Sequence, residues 1–393
     1  MKYWRGYIFA ALFAALTGAL MAFAKAHRSL IDMVYPYMTR LIQTSLSSWS
    51  MGVDFCLWQL IVIFLGVLVL ATIVLMIVFR WNFVQWLGWV LACASLLFCM
   101  HTGIYGLNSY SGPLAEDVHL KTTSFTVTEL AEATAYFRDI ANKLSVQVPR
   151  DGEGKPDYPE FEQIAQQAAE GFENLVYERH MSVFAGTTIP VKKLGWADMY
   201  TSMGITGVFM PLTGEAAVNA QIPAVGLPFT MCHEMCHRVC IALERDANLG
   251  AFLACDANPD PAFRYSGYFM AFRYCYNALR GVGTTTASAA AKEIAAGMTE
   301  QLKSDLNDYN KFFQTKQNKK ATTVANKVND AYIQSSGDPS GIRSYGEVTD
   351  LLVSWYIQEI YLPAHQDEEQ VFDPLDKNQV DLSQGTPEET EGQ

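Results

Sequence analysis

His233-Glu234-Met235-Cys236-His237 reads as a little over one turn of helix that carries chemistry. Four residues make about one turn, so both imidazoles leave the same face and can grip one Zn²⁺ together. Glu234 points away by roughly 100°, which suits a base acting on an activated water better than a ligand. The bland counterpart is a helix that simply carries two histidines and an exposed glutamate.

A catalytic zinc has three protein ligands and an open position, whereas a structural zinc has four. The third ligand would be Glu244 in Glu244-Arg245-Asp246-Ala247-Asn248, which fits E-x-x-A-[ND], a second-helix signature of several HExxH families. Asn248, one turn on, would orient a ligand from behind. On a straight helix Glu244 would sit about 10 Å beyond His237 along the axis, too far for one ion. The chain must therefore turn between Arg238 and Leu243, although no Gly or Pro marks the bend. Either a tight turn forms there unaided, or Glu244 is not the ligand and the shorter Asp246 takes its place.

Around this centre, the periodicity predicts helices over Thr126–Leu144, Pro159–His180, Phe229–Leu243, Tyr265–Leu279, Ser288–Gln334 with a break near Gln317, and Tyr345–Leu362. Asn108–Thr122 reads as a loop. Between Thr187 and Phe229 the residues Val191, Trp196, Ile205, Val208 and Val218 predict short strands or extended segments. An edge strand beside such a helix can hold a substrate backbone by adding it as another strand.

The apolar content is concentrated at the front. Half of the 393 residues are hydrophobic, yet the mean hydropathy is only +0.08. Residues 7–24, 60–79 and 81–105 are each long enough to cross a hydrocarbon core, which takes about 20 helical residues. Arg80 alone separates the last two, predicting a tight transmembrane hairpin with Trp81, Trp86 and Trp89 near its turn. The first stretch reads as a retained anchor, with Ala22-Phe23-Ala24 leaving a cleaved signal as the rival. In either case the remainder of the chain is expected outside the cytoplasm.

Residues 1–110 hold six Lys/Arg and two acids, while the rest holds 22 bases and 38 acids. So acidic a surface excludes nucleic acid and anionic headgroups as partners of that part. The organisation expected is a membrane domain over 1–110, a catalytic domain over 111–363 and an acidic, disordered tail over 364–393. Cys232, Cys236 and Cys240 recur every four residues and read as packing residues rather than a disulfide framework. Cys255 and Cys275 could pair with each other in an oxidising compartment.

Several segments, taken in order, are specific together: Gly106-Leu107-Asn108-Ser109-Tyr110, Thr213–Asn219, His233–His237, Asp246-Ala247-Asn248, Arg264–Tyr268 and Ser344–Val348. Through them residues from about 100 to 360 resemble a bacterial membrane-protein family, domain of unknown function 3810, of zincin-like HExxH peptidase type. The resemblance implies a mainly α chain: three N-terminal transmembrane helices, then a mostly helical zincin-like metallopeptidase domain with a small extended segment before the HExxH helix. It implies metal binding by His233 and His237 and acid/base catalysis by Glu234. At Cys240 the chain departs from the glycine that the resemblance implies, so the bend must form on a residue with a Cβ.

The function expected is that of a multi-pass protein of the bacterial cell membrane, with its catalytic domain extracytoplasmic, hydrolysing a peptide or protein substrate. His233, His237 and Glu244 would hold Zn²⁺, and Glu234 would take a proton from the activated water and return it to the leaving amine. Tyr345 or Arg343 would stabilise an oxyanion if either did more than begin a helix. The alternative is a non-catalytic membrane receptor or scaffold with a structural zinc.

Overall fold

The computed structural model describes residues 2–186, 188–335 and 348–365. It is mainly helical, and four long helices come first: α1 (Arg5–Ala26), α2 (Arg28–Ser50), α3 (Leu57–Val78) and α4 (Phe83–Ile104). Helices α1, α3 and α4 are long and apolar enough to cross a membrane. Four residues, 79–82, join α3 to α4 where the sequence left Arg80 alone between them, so the connection is short as expected but wider than one residue. Yet α4 lies chiefly along α1, while Trp86 Nε1 donates to Thr72 Oγ1 of α3 at 3.0 Å.

All three spans present an end to the rest of the chain. The C-terminal end of α1 buries Ala24 against Ile31 and Leu107. The N-terminus of α3 is capped from outside: the Glu215 carboxylate accepts from Leu57 N at 2.8 Å and Trp58 N at 2.9 Å. A carboxylate there satisfies free amides and complements the positive end of the helix dipole. Lys192 Nζ completes the cluster, 2.8 Å from Glu215 Oε1 and 2.7 Å from Ser50 O. The third contact is made by α4, whose C-terminus leads into the short turn of helix Gly106–Tyr110.

Helix α2 was not expected. It follows α1 after a single residue, His27, and buries a polar stripe of Thr39, Gln43, Ser47 and Ser50. Short α5 (Leu114–Asp117) occupies part of the predicted loop and leads to α6 (Val127–Ser145) and α7 (Phe161–Tyr177). Helix α6 opens with a capping box in which Thr126 and Glu129 satisfy each other's backbone amides.

The extended region is a three-stranded sheet of order β1-β3-β2: β1 (Lys192–Lys193), β2 (Gly207–Met210) and β3 (Glu215–Val218). Strand β1 pairs parallel to β3, and β2 pairs antiparallel, with Gly207 opposite Val218 and Met210 opposite Glu215. Val208 and Val218 fall in strands as predicted. Trp196 does not: it precedes a helix, α8 (Ala197–Met203), which ends at the left-handed Gly204.

The core helices follow: α9 (Leu227–Arg238), α10 (Glu244–Ala257) and α11 (Pro261–Gly281). The predicted long helix is three: α12 (Thr285–Ala296), α13 (Glu300–Lys316) and α14 (Lys319–Ser335). Gln317 does break it, and a second break comes at Gly297–Thr299, where Thr299 caps α13. Helix α15 (Val348–Tyr356) runs on through a π-helical turn (Ile357–Tyr361) into the short α16 (Leu362–Ala364), and the tail from 366 lies outside the described residues. One large apolar cluster packs α6, α7, α9, α10, α11 and α15, with Phe137, Phe172, Phe252 and Phe269 fully buried. All eight cysteines are free, Cys255 and Cys275 included.

Candidate metal centre

Every residue of α9 is buried, so the helix runs through the core as a fixed mount. One of its N-terminal amides is tied to a neighbouring helix: Phe229 N donates to Ser266 Oγ of α11 at 3.0 Å. At its C-terminus, Cys240 N donates to His237 O at 3.0 Å and Ile241 N to Cys236 O at 3.1 Å. These two bonds are a Schellman motif, whose pivot residue adopts the left-handed conformation. That residue is Cys240, at φ 73°. The HExxH helix thus ends at Arg238, not Leu243, and the chain turns where one shared ion would require.

The turn brings three groups together. His233 Nε2 and His237 Nε2 are 3.1 Å apart, and Glu244 Oε2 lies 3.2 Å from the first and 3.6 Å from the second. One ligand atom from each residue falls within 4.8 Å of the others. His237 Nδ1 sits 2.9 Å from Ile241 O. With its proton donated there, His237 turns the Nε2 lone pair toward His233 and Glu244. A lone pair and a carboxylate oxygen so close in a buried site repel unless a proton or a metal cation lies between them. Glu244 Oε2 is buried and makes no hydrogen bond of good geometry. These donors suit Zn²⁺, and a metal ion meets each of these needs.

The electrostatics agree. Burial would lower the His237 pKa, but Glu244 and then Glu234 outweigh it and push it up to about 9. Burial raises Glu244, and the two histidines outweigh it, holding the carboxyl well below its usual range. Without metal, the cluster takes its positive charge as a proton.

Glu234, between the two histidines, is turned away from them and shut in by β2. Burial drives its pKa up to about 7 against the opposing pull of His233 and His237. A Cβ on Gly207 would fall 2.3 Å from Glu234 Oε1, so only glycine lets the strand run this close. Strand β2 is an edge of the sheet.

The other predicted residues are elsewhere. Asp246 does not join the cluster: its Oδ2 accepts from Leu114 N at 3.1 Å and holds α5 against α10. Asn248 Oδ1 accepts from Tyr274 OH of α11 at 3.3 Å, and its buried Nδ2 has no hydrogen-bond partner, so no bond from it to a ligand is seen. Tyr345 and Arg343 lie outside the described residues. Tyr274 was missed, because nothing in its spacing relates α11 to the HExxH helix. Arg238, fully buried, donates to Pro190 O at 3.4 Å and to Ile189 O, anchoring the lead-in to β1. A cavity of about 350 Å³ between Tyr136, Arg179, Asp256, Tyr268 and Trp355 is separate from this centre. Asp256 is twelve residues past Glu244 on α10, roughly 18 Å along the axis.

The family model described as "Protein of unknown function (DUF3810)" matches residues 31–353. The chain belongs to this family, and the match takes in α2 and two of the apolar helices as well as the metal cluster. No curated protein and no solved structure matches the chain.

Proposed function

We propose that this protein is a membrane-anchored, zinc-dependent metallopeptidase. The observation that carries the reading is the convergence of three metal-donor side chains on one point, with a fourth, non-ligating carboxylate buried beside them. Among the described residues no fourth donor joins the group, which favours an open, catalytic coordination over a closed, structural one.

A zinc ion held by His233, His237 and Glu244 would supply Lewis acidity toward water and a substrate carbonyl. Glu234 takes the proton of the attacking water and hands it to the leaving amine; its raised pKa suits a group that must do both. Strand β2, at the edge of the sheet, would pair with an extended peptide and set the scissile bond near Glu234. The ligand side chains are only 10–14% exposed, so an extended chain suits the site better than a bulky folded surface. With the N-terminus in the cytoplasm, three membrane crossings would leave this site on the outer side of a bacterial cell membrane.

The test is Glu234→Gln in the purified full chain, assayed for zinc content and for cleavage of a peptide library. The reading expects zinc to stay and cleavage to vanish. Stoichiometric zinc in the wild type with no cleavage of any peptide would favour a receptor or scaffold with a structural metal.

A further inference from the structure

Helix α2 is amphipathic in the opposite sense to a helix of a soluble domain. Apart from Ile31 its buried stripe is polar, and its hydrogen bonds to other elements go inward. Tyr35 OH donates to Thr102 O at 2.9 Å, Gln43 Nε2 to Ile104 O at 3.2 Å, and Arg40 Nε to Val239 O at 3.2 Å. Asp32 Oδ1 accepts from Gly112 N at 2.7 Å, and Ser47 Oγ donates to Gly214 O. The outward stripe is apolar. Leu30, Met33, Val34, Tyr37, Met38 and Leu41 recur at i, i+3, i+4, i+7, i+8 and i+11, with Met33 66% and Leu41 73% exposed. No charged residue interrupts it.

Such a face is not stable in water on its own, and the chain indicates what covers it. One residue separates α2 from the membrane span α1, and six separate it from the span α3. Its inward bonds reach the domain-side end of α4 and the domain itself, so α2 lies between that domain and the spans. The outward stripe therefore continues the exposed apolar surface of α1, α3 and α4. Lys25 and Arg28, exposed at the joint with α1, suit anionic headgroups.

We infer that α2 lies in the plane of the bilayer surface, its apolar stripe sunk among headgroups and upper acyl chains, with the metal-binding domain resting on its polar face. A helix of this kind buries its apolar side about 5–10 Å into that boundary. The inference concerns placement and stands whether or not the centre is catalytic.

Spin labels test it. The full chain with Cys93→Ser, which removes the one exposed thiol, would carry a label at Met33→Cys, Tyr37→Cys or Leu41→Cys. Val146→Cys, 63% exposed on the domain, is the control. In vesicles of phosphatidylcholine and phosphatidylglycerol, the three α2 labels should be several-fold more accessible to oxygen, relative to a water-soluble nickel chelate, than the Val146 label. Ratios equal to the control would place the stripe in water and overturn the inference. Labels shielded from both reagents would mean that protein, such as a second copy, covers the stripe, and would overturn it equally.

Discussion

Thr39 Oγ1 of α2 lies 3.3 Å from Sγ of Cys240, the residue on whose left-handed backbone the two helices of the metal centre pivot. Asn108, 3.2 Å from the same hydroxyl, closes the group. The bend that carries Glu244 to the histidines is thus held from outside, by a helix joined directly to the first membrane span. This contact explains how the turn persists without glycine. The left-handed conformation costs a residue with a Cβ about 1 kcal/mol, and the buried contacts of the thiol offset it.

Cys240→Gly should therefore keep its metal and unfold within about 1 kcal/mol of the wild type, because relief of strain and loss of the thiol contact oppose each other. Cys240→Val should be clearly less stable, since a β-branched residue tolerates positive φ worst. Thermal unfolding beside zinc analysis checks both. Loss of metal in the glycine variant would show that the turn depends on the thiol itself.

Gly207→Ala separates proton transfer from metal binding. The added methyl would meet the Glu234 carboxylate at 2.3 Å and displace it or push β2 away. Zinc content should stay near wild type, while turnover should fall by at least about tenfold, the smaller end of what a positioned acid/base group contributes. Unchanged turnover would mean that Glu234 needs no fixed position.

Glu215→Ala tests the joint between sheet and membrane helix. It leaves Lys192 buried without its carboxylate and uncaps α3. Breaking one partner of a buried pair costs about 3–5 kcal/mol, so the variant should accumulate poorly in membranes. Adding Lys192→Met should recover part of the loss, because the two sites share one interaction. Additive losses would show that the pair is not coupled.

The sequence went furthest where a distance constraint acted on it. Two histidines four apart and a glutamate seven further on require a turn between Arg238 and Leu243, and the structure places that turn at Cys240. Asp246 drops out because its carboxylate is engaged by Leu114 N. The spans at the front were legible because twenty uncharged residues in a row have few other uses. Helix α2 was not, because Arg28, Asp32 and Arg40 interrupt its hydropathy and its meaning lies in which face is turned inward. Helix α8 hid among β-branched neighbours, although Gly204 at its end was a usable stop signal. The contacts of Thr39 with Cys240 and of Tyr274 with Asn248 are tertiary, joining residues 201 and 26 positions apart, and no local pattern reports them.

Elemental analysis of the purified full chain decides whether His233, His237 and Glu244 form a metal site. One zinc per chain is expected in the wild type and in Asp246→Asn. His233→Ala with His237→Ala should abolish binding, and Glu244→Gln should weaken it at least about tenfold. A metal-free wild type at neutral pH, or zinc retained in full by the double histidine variant, would contradict the assignment.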